Sequence, residues 1–208
     1  MKTIGSILVF VLPLFAIAQE TIDVQRPTLT ESNTTIQKKF IQFESGFNYS
    51  LDSEKVDFSS FARFGVTNNI EVRVFKSTSD KSFQCSGKVM IRESKDLFPG
   101  IALTMSYDPI FFFQDYRLCF TGSKGSFFYT INAAHNGAWY GIGLVGISLS
   151  DFNLFGEYQI NEFTGHQVNG GVTYIIKNEV QLDVNGGASI ENGTAFPYLG
   201  LGAAFRVK

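Results

Sequence analysis

The chain has 208 residues, 44% of them apolar and only 17% charged, a composition that leaves room for one ordinary domain and argues against disorder. Seventeen Lys and Arg against nineteen Asp and Glu give a net charge of −2, without the basic surplus that a phosphate backbone attracts, so no nucleic-acid partner is expected. Twenty Gly and twenty-two Phe beside two Cys and one Trp suit short aromatic strands joined by tight turns.

Met1 to Ala18 reads MKTIGSILVFVLPLFAIA. A basic Lys2, an apolar run from Ile4 to Ile17 and small residues at Ala16 and Ala18 form a cleavable secretory signal peptide over 1–18, with a mature chain from Gln19. The run falls short of the roughly twenty residues that span a bilayer as a helix. Later in the chain the longest apolar stretch, Ala138 to Leu149, is broken by Gly141, Gly143 and Gly146, which excludes transmembrane helices. Two destinations remain for such a secreted chain: a soluble extracytoplasmic protein or an outer-membrane barrel.

Residues 19–37 do not alternate and are expected to form an N-terminal periplasmic arm. From residue 38 the period is two. Ile41, Phe43, Phe47, Tyr49 and Leu51 oppose Gln42, Glu44, Asn48 and Ser50, and the same grammar recurs to Leu199, Leu201, Ala203, Phe205 and Val207. Strands are expected near 38–51, 55–65, 69–77, 83–92, 100–107, 114–121, 126–134, 138–148, 152–160, 167–176, 179–188 and 197–207. Those between Ala138 and Ile160 alternate least cleanly. An even count of strands of about ten residues predicts an all-β, single antiparallel up-and-down transmembrane β-barrel over 38–208. The alternative is a soluble barrel or sandwich, whose strands alternate too. Low charge favours the membrane, as do Tyr49, Tyr107, Tyr116, Tyr129, Tyr140, Tyr158 and Tyr174 near strand ends, where interfacial girdles lie.

Tight connections are expected at Val66–Asn69, Gly122–Gly125, Leu149–Asp151 and Lys177–Asn178, with a longer one near Glu93–Gly100. External loops are expected at Ser77–Ser82, Asp108–Phe113, Asn161–His166 and Glu191–Pro197. With polar faces inward, the lumen is expected to carry Glu44, Arg63, Glu71, Arg73, Lys88, Arg92, Asp115, Arg117, Glu157, Asp183 and Arg206. Buried charges must be paired or hydrated, so the lumen holds either a water channel or a plug of ion pairs.

The segment Arg26-Pro27-Thr28-Leu29-Thr30-Glu31-Ser32, then Gln42 to Phe47 and Phe61 to Arg73, and at the far end Gly171 to Tyr174, Gln181 to Asp183 and Gly200 to Arg206, resemble a family of Gram-negative outer-membrane proteins. That family is labelled putative MetA-pathway of phenol degradation, and the Gln19 start with short loops looks like a Bacteroidetes-type member. The family usually has Asp before the Arg-Pro pair, where Gln25 stands here, so no role for that acid carries over. What the resemblance implies is a transporter-like, porin-like barrel passing small apolar or aromatic compounds. The arm motif, Arg26, Pro27, Thr30 and Glu31, is then expected in the periplasmic mouth, paired with lumen charges such as Arg63 or Arg73.

His135 and His166 fall in expected external loops; the one catalytic arrangement available is His135 with Ser148 or Ser126, as in a lipid-modifying enzyme. Cys85 and Cys119 sit on non-adjacent strands facing opposite ways, so no disulfide is expected. Neither a metal site, a cofactor nor a catalytic residue is expected. The leading expectation is a passive channel or transporter for an unidentified small solute, surrounded by outer-membrane lipid and inserted by the barrel-assembly machinery. The alternatives are a closed structural or adhesive barrel and a lipid-modifying enzyme.

Overall fold

Period-two alternation is realised as twelve antiparallel strands closed into a ring, in a computed structural model that describes residues 22–78, 83–110, 112–162 and 165–208. The expected segment 1–18 lies outside the described residues, as do parts of the expected loops at Ser77–Ser82, Asp108–Phe113 and Asn161–His166. In chain order the strands are β1 (Ile41–Ser50), β2 (Lys55–Gly65), β3 (Ile70–Ser77), β4 (Phe83–Arg92), β5 (Gly100–Asp108) and β6 (Phe113–Lys124). The second half comprises β7 (Phe127–His135), β8 (Trp139–Leu149), β9 (Phe152–Asn161), β10 (Gly165–Lys177), β11 (Val180–Glu191) and β12 (Thr194–Val207). Every strand pairs with its sequence neighbours, and β1 closes on β12 with Ile41 opposite Val207 and Ser50 opposite Tyr198. Closure leaves no open edge, the condition for a sheet to survive in hydrocarbon.

The two faces are inverted relative to a protein dissolved in water. Phe47, Val56, Val145 and Leu201 point outward and are 55–60% exposed, whereas Gln42, Glu44, Arg63, Glu71 and Lys88 point inward at 0–1%. An apolar outer band around a polar interior is the pattern of a transmembrane barrel. Aromatic side chains ring both ends: Tyr49, Tyr107, Tyr116, Trp139 and Tyr158 toward one, Phe127, Phe152 and Tyr174 toward the other. Tyr140 does not belong to the girdle expected of it. It lies on the inner face of β8, 8% exposed, because that strand is apolar on both sides.

The expected loop Glu191–Pro197 is also absent. Glu191 pairs with Thr194, and β11 and β12 run on to a two-residue turn at Asn192-Gly193, both at positive φ, 51° and 80°. Asn-Gly favours this hairpin because both central residues tolerate the left-handed region. The long fourth connection folds into a small turn in which Lys95 and Phe98 bridge, and it leans on the next turn through Tyr129, whose hydroxyl donates to the Leu97 carbonyl.

The outward assignment of β12 carries a test. Leu201→Arg places a cation on the lipid face and is expected to destabilise the barrel by about 2–4 kcal/mol in vesicles, against under about 0.5 for an exposed site in water. Urea unfolding followed through the single Trp139 measures it. A cost indistinguishable from zero would contradict the lipid-facing surface.

Candidate functional site

The residues ahead of β1 fill the ring. From Ile22, whose amide donates to the Asn178 carbonyl at the turn after β10, the chain enters the barrel and crosses the lumen. It returns to the same end, where Lys39 donates to the Gly65 carbonyl before β1 begins. This arm has no secondary structure to satisfy its backbone, so the wall does so. Glu44 accepts from the Gln25 and Arg26 amides at 2.9 and 3.0 Å, and Glu157 from those of Leu29 and Thr30 at 2.7–2.9 Å. Asn132 makes a reciprocal pair with the Glu31 backbone at 2.6 and 2.8 Å, and Glu71 accepts from the Ile36 amide at 2.7 Å. In return, Asn169 donates to the Pro27 carbonyl at 3.1 Å and Arg117 to that of Leu29 at 2.9 Å.

The side chains complete one connected ion network. Glu44 meets Arg63 at 3.0 Å, Arg63 meets Glu71 at 3.1 Å, and Glu71 also pairs with Arg73. Arg73 then meets Glu31 of the arm at 2.6 Å, which lies 4.0 Å from Lys88 and 3.9 Å from Arg117. Arg117 passes the chain on to Asp115 at 3.3 Å, and Tyr140 donates to Asp115 at 2.6 Å. One arm carboxylate thus faces three wall cations. Burial opposes its ionisation, but Arg73, Arg117 and Lys88 outweigh that and hold the Glu31 carboxyl well below the usual carboxylate range.

Arg26 is seated differently. Gly46 and Gly202 oppose each other on β1 and β12 and both face inward. The guanidinium lies against this pair so closely that a Cβ on Gly46 would stand 2.3 Å from it and one on Gly202 2.7 Å from its Nε. Ser59 accepts from it at 3.0 Å, and Asp183 lies 3.7 Å away. A notch made by two missing side chains is therefore the socket of the arm.

Two cavities flank the seated arm. One, about 530 Å³, opens toward the hairpin-turn end of the barrel, with Asn48, Asp57, Phe75, Gln167 and Tyr198 in its wall. The other, about 140 Å³, lies toward the arm's own end, against Phe128, Leu144 and Phe155. Arg26, Pro27 and Thr28 line both, so these three residues are the partition between them.

Of the residues expected in the lumen, Glu44, Arg63, Glu71, Arg73, Lys88, Asp115 and Arg117 join the network, and Glu157 and Asp183 hold the arm at Leu29 and Arg26. Arg206 stands at the arm's end of the barrel with its guanidinium 5.6 Å from the Phe40 ring. Arg92 is a correction: it is exposed, stacked 4.2 Å over Phe98. A bulge between Met90 and Arg92 shifts the register so that Arg92 opposes Ile101, and this turns it to the outer face. Arm residues Arg26, Pro27, Thr30 and Glu31 all contact the wall. Neutral partners escaped an expectation built on charge alone. Gln42, Asn132 and Asn169 lie on the same inward alternation and were findable there.

His135 and Ser126 stand at opposite ends of β7, roughly 30 Å apart at the rise of a strand, and Ser148 sits beside Ser126. Those pairs cannot share a proton. Cys85 is exposed, Cys119 is buried, and both are free. Among the described residues no group of three His, Cys, Asp or Glu side chains is placed to hold a metal ion.

Fold and site together define a transmembrane β-barrel whose lumen is occupied by its own N-terminal arm. No family model matches the chain, and no curated protein matches it. Solved structures do. A NanC porin superposes with a TM-score of 0.61 at 8% identity, covering 79% of this chain and 100% of that one. The COG4313 outer membrane channel from Pseudomonas putida F1 gives 0.56 at 7%, over 84% and 98%. Outer membrane phospholipase A from Escherichia coli gives 0.51 at 11%, over 83% and 94%. At these identities the likeness is one of fold.

Two outcomes follow from the geometry. Gly202→Leu fills the notch and is expected to raise amide exchange across residues 25–33 at least tenfold in mass-spectrometric hydrogen exchange; unchanged protection would mean the notch does not seat the arm. Glu31 has a lowered folded value, so its contribution is complete above its ordinary 4.5 and is lost only as pH falls through the lower one. The difference in arm protection between this chain and Glu31→Gln, corrected for intrinsic exchange, is therefore expected to stay level from pH 8 to 5. A difference that shrinks within that window would refute the assignment.

Proposed function

We propose that this chain is an outer-membrane channel that passes small solutes passively and performs no covalent chemistry. The observation that carries the reading is the pair of lumen cavities separated by three residues of one segment, Arg26 to Thr28. A barrel needing only to be stable has no use for a chamber of about 530 Å³ inside its wall. The fold likeness to a NanC porin and to an outer membrane channel supports the reading, as does the resemblance of the Arg26–Ser32 segment to the phenol-degradation family. The phospholipase likeness brings no chemistry with it, given the separation of His135 from Ser126 and Ser148.

In this reading 1–18 is a cleaved signal peptide, the arm occupies the periplasmic end, lipid covers the outer band, and the barrel-assembly machinery inserts the chain. The arm is the constriction, and solute passes where it shifts off the Gly46 and Gly202 notch.

Single-channel recording of residues 19–208 in a planar bilayer tests this, beside Gly202→Leu and a chain starting at Lys38, each first shown folded by its heat-modifiable gel mobility. Small discrete steps are expected from the full chain and steps severalfold larger from both altered chains. Silence from all three would overturn the channel and leave a closed structural or adhesive barrel.

A further inference from the structure

The larger cavity has a chemistry of its own. Its charged lining residues are already engaged: Arg26 with Ser59 and Asp183, Arg117 with Asp115 and Tyr140, and Glu44 with Arg63 and two arm amides. Asp57 accepts from Ser77 and Thr78. Glu31 is paired with Arg73, so Arg26, Arg117, Glu44 and Glu31 each have a counter-charge, and Arg26 and Arg117 each keep one Nε–H donor without a partner among the described residues. What remains for a solute is hydrogen-bonding capacity rather than an unbalanced charge.

Two buried acceptors lining the chamber lack hydrogen-bond partners among the described residues: the carboxamide oxygen of Gln25 on the arm, 8% exposed, and that of Asn185 on the wall, 5% exposed. Half-buried Asn48 brings its carboxamide oxygen to the same place. A Cβ on Gly200 would stand 2.2 Å from the Asn185 oxygen and 2.6 Å from that of Asn48, so this glycine lets the two amides converge over one spot. Tyr198 stands nearby, its hydroxyl accepting from Gln167 at 3.1 Å. On β2 and β3, next to the β1 strand that carries Asn48, Phe61 and Phe75 face inward as an edge-on pair with centroids 6.1 Å apart. Convergent acceptors beside aromatic carbon suit a solute rich in hydroxyl donors with an apolar C–H face. A purely apolar solute would leave the acceptors buried and unpaired, which is the costly outcome. The volume, about 530 Å³, lies in the range of small-molecule pockets, roughly 300–1,000 Å³.

We propose that the larger lumen chamber is a binding site for a neutral polyhydroxy solute of mono- to disaccharide size, held by the Gln25, Asn48 and Asn185 carboxamides and by the Phe61–Phe75 edge. The proposal deepens the channel reading and rests on it for its purpose, but binding is measured apart from conduction.

Isothermal titration calorimetry of the refolded full chain in detergent, with maltose, glucose 6-phosphate and phenol as probes, is the test. Maltose is expected to bind saturably and the other two at least tenfold more weakly. Asn185→Leu and Phe75→Ala are each expected to weaken maltose at least tenfold while leaving gel mobility unchanged; Gln25→Met, on the arm rather than the wall, is the check should a wall variant misfold. Tighter binding of phenol or the phosphate, or no loss in a folded variant, would overturn the proposal. Liposome swelling with maltose separates the two readings. Binding without swelling leaves the site and removes the channel, whereas swelling without saturable binding leaves the channel and removes the site.

Discussion

A closed sheet whose outer face meets hydrocarbon must send its charges inward, and twelve strands leave too little room for each to keep its own water. The pairing of Arg73 with Glu31 at 2.6 Å is where this constraint is met. The wall alone runs from Glu44 through Arg63 and Glu71 to Arg73, then leaves Lys88 and Arg117 facing the interior with Asp115 as the other wall carboxylate in the chain. Breaking a buried pair by removing one partner typically costs about 3–5 kcal/mol, and Glu31 is a partner to three cations at once. The arm is thus the remaining part of the interior's charge balance and not a leader that happens to lie there.

The same segment answers a second requirement on the opposite wall. Strands β7 to β9 line the lumen largely with Ala134, Ile142, Leu144 and Phe155, Glu157 being the charged residue among them, and Leu29 packs against the cluster of Ala134, Tyr140 and Ile142. Two residues along, the arm therefore turns from apolar contact at Leu29 to three cations at Glu31, and then runs through Ser32 to the end it entered from. A chain with two such faces fits the lumen in one orientation, and the Gly46 and Gly202 notch fixes Arg26 at the start of that path.

This division explains what the sequence discloses and what it hides. Alternation is clear wherever the inner face is polar, as along Ile70 to Arg73, and there strand limits read from sequence and observed limits differ by a residue or so. It fades between Ala138 and Ile160 because Ile142 and Leu144 face inward while Val145 and Ile147 face outward, so both faces are apolar for different reasons. Tyr140 faces inward, away from the girdle that its place near a strand end predicts, for the same cause. Arg92 illustrates a limit of another kind: one inserted residue at a bulge reverses every face beyond it, and nothing in a period-two pattern marks the insertion. The notch is less legible still. Gly46 and Gly202 lie far apart in the chain, and only the closure of β1 on β12 brings them opposite each other.

Electrostatic closure of the network also shapes what the lumen presents to a solute. While the arm is seated, its carboxylate and guanidinium are consumed by the wall, and the larger cavity offers amides, hydroxyls and aromatic edges rather than charge. In the proposed channel, selectivity in that state rests on hydrogen-bond geometry. With the arm withdrawn, Arg73, Lys88 and Arg117 lose the carboxylate they share, and the β3 to β6 side of the lumen becomes locally positive. In the proposed channel, seated and withdrawn states therefore differ in their interior field as well as in width, because one carboxylate both balances the wall and belongs to the segment that fills the lumen.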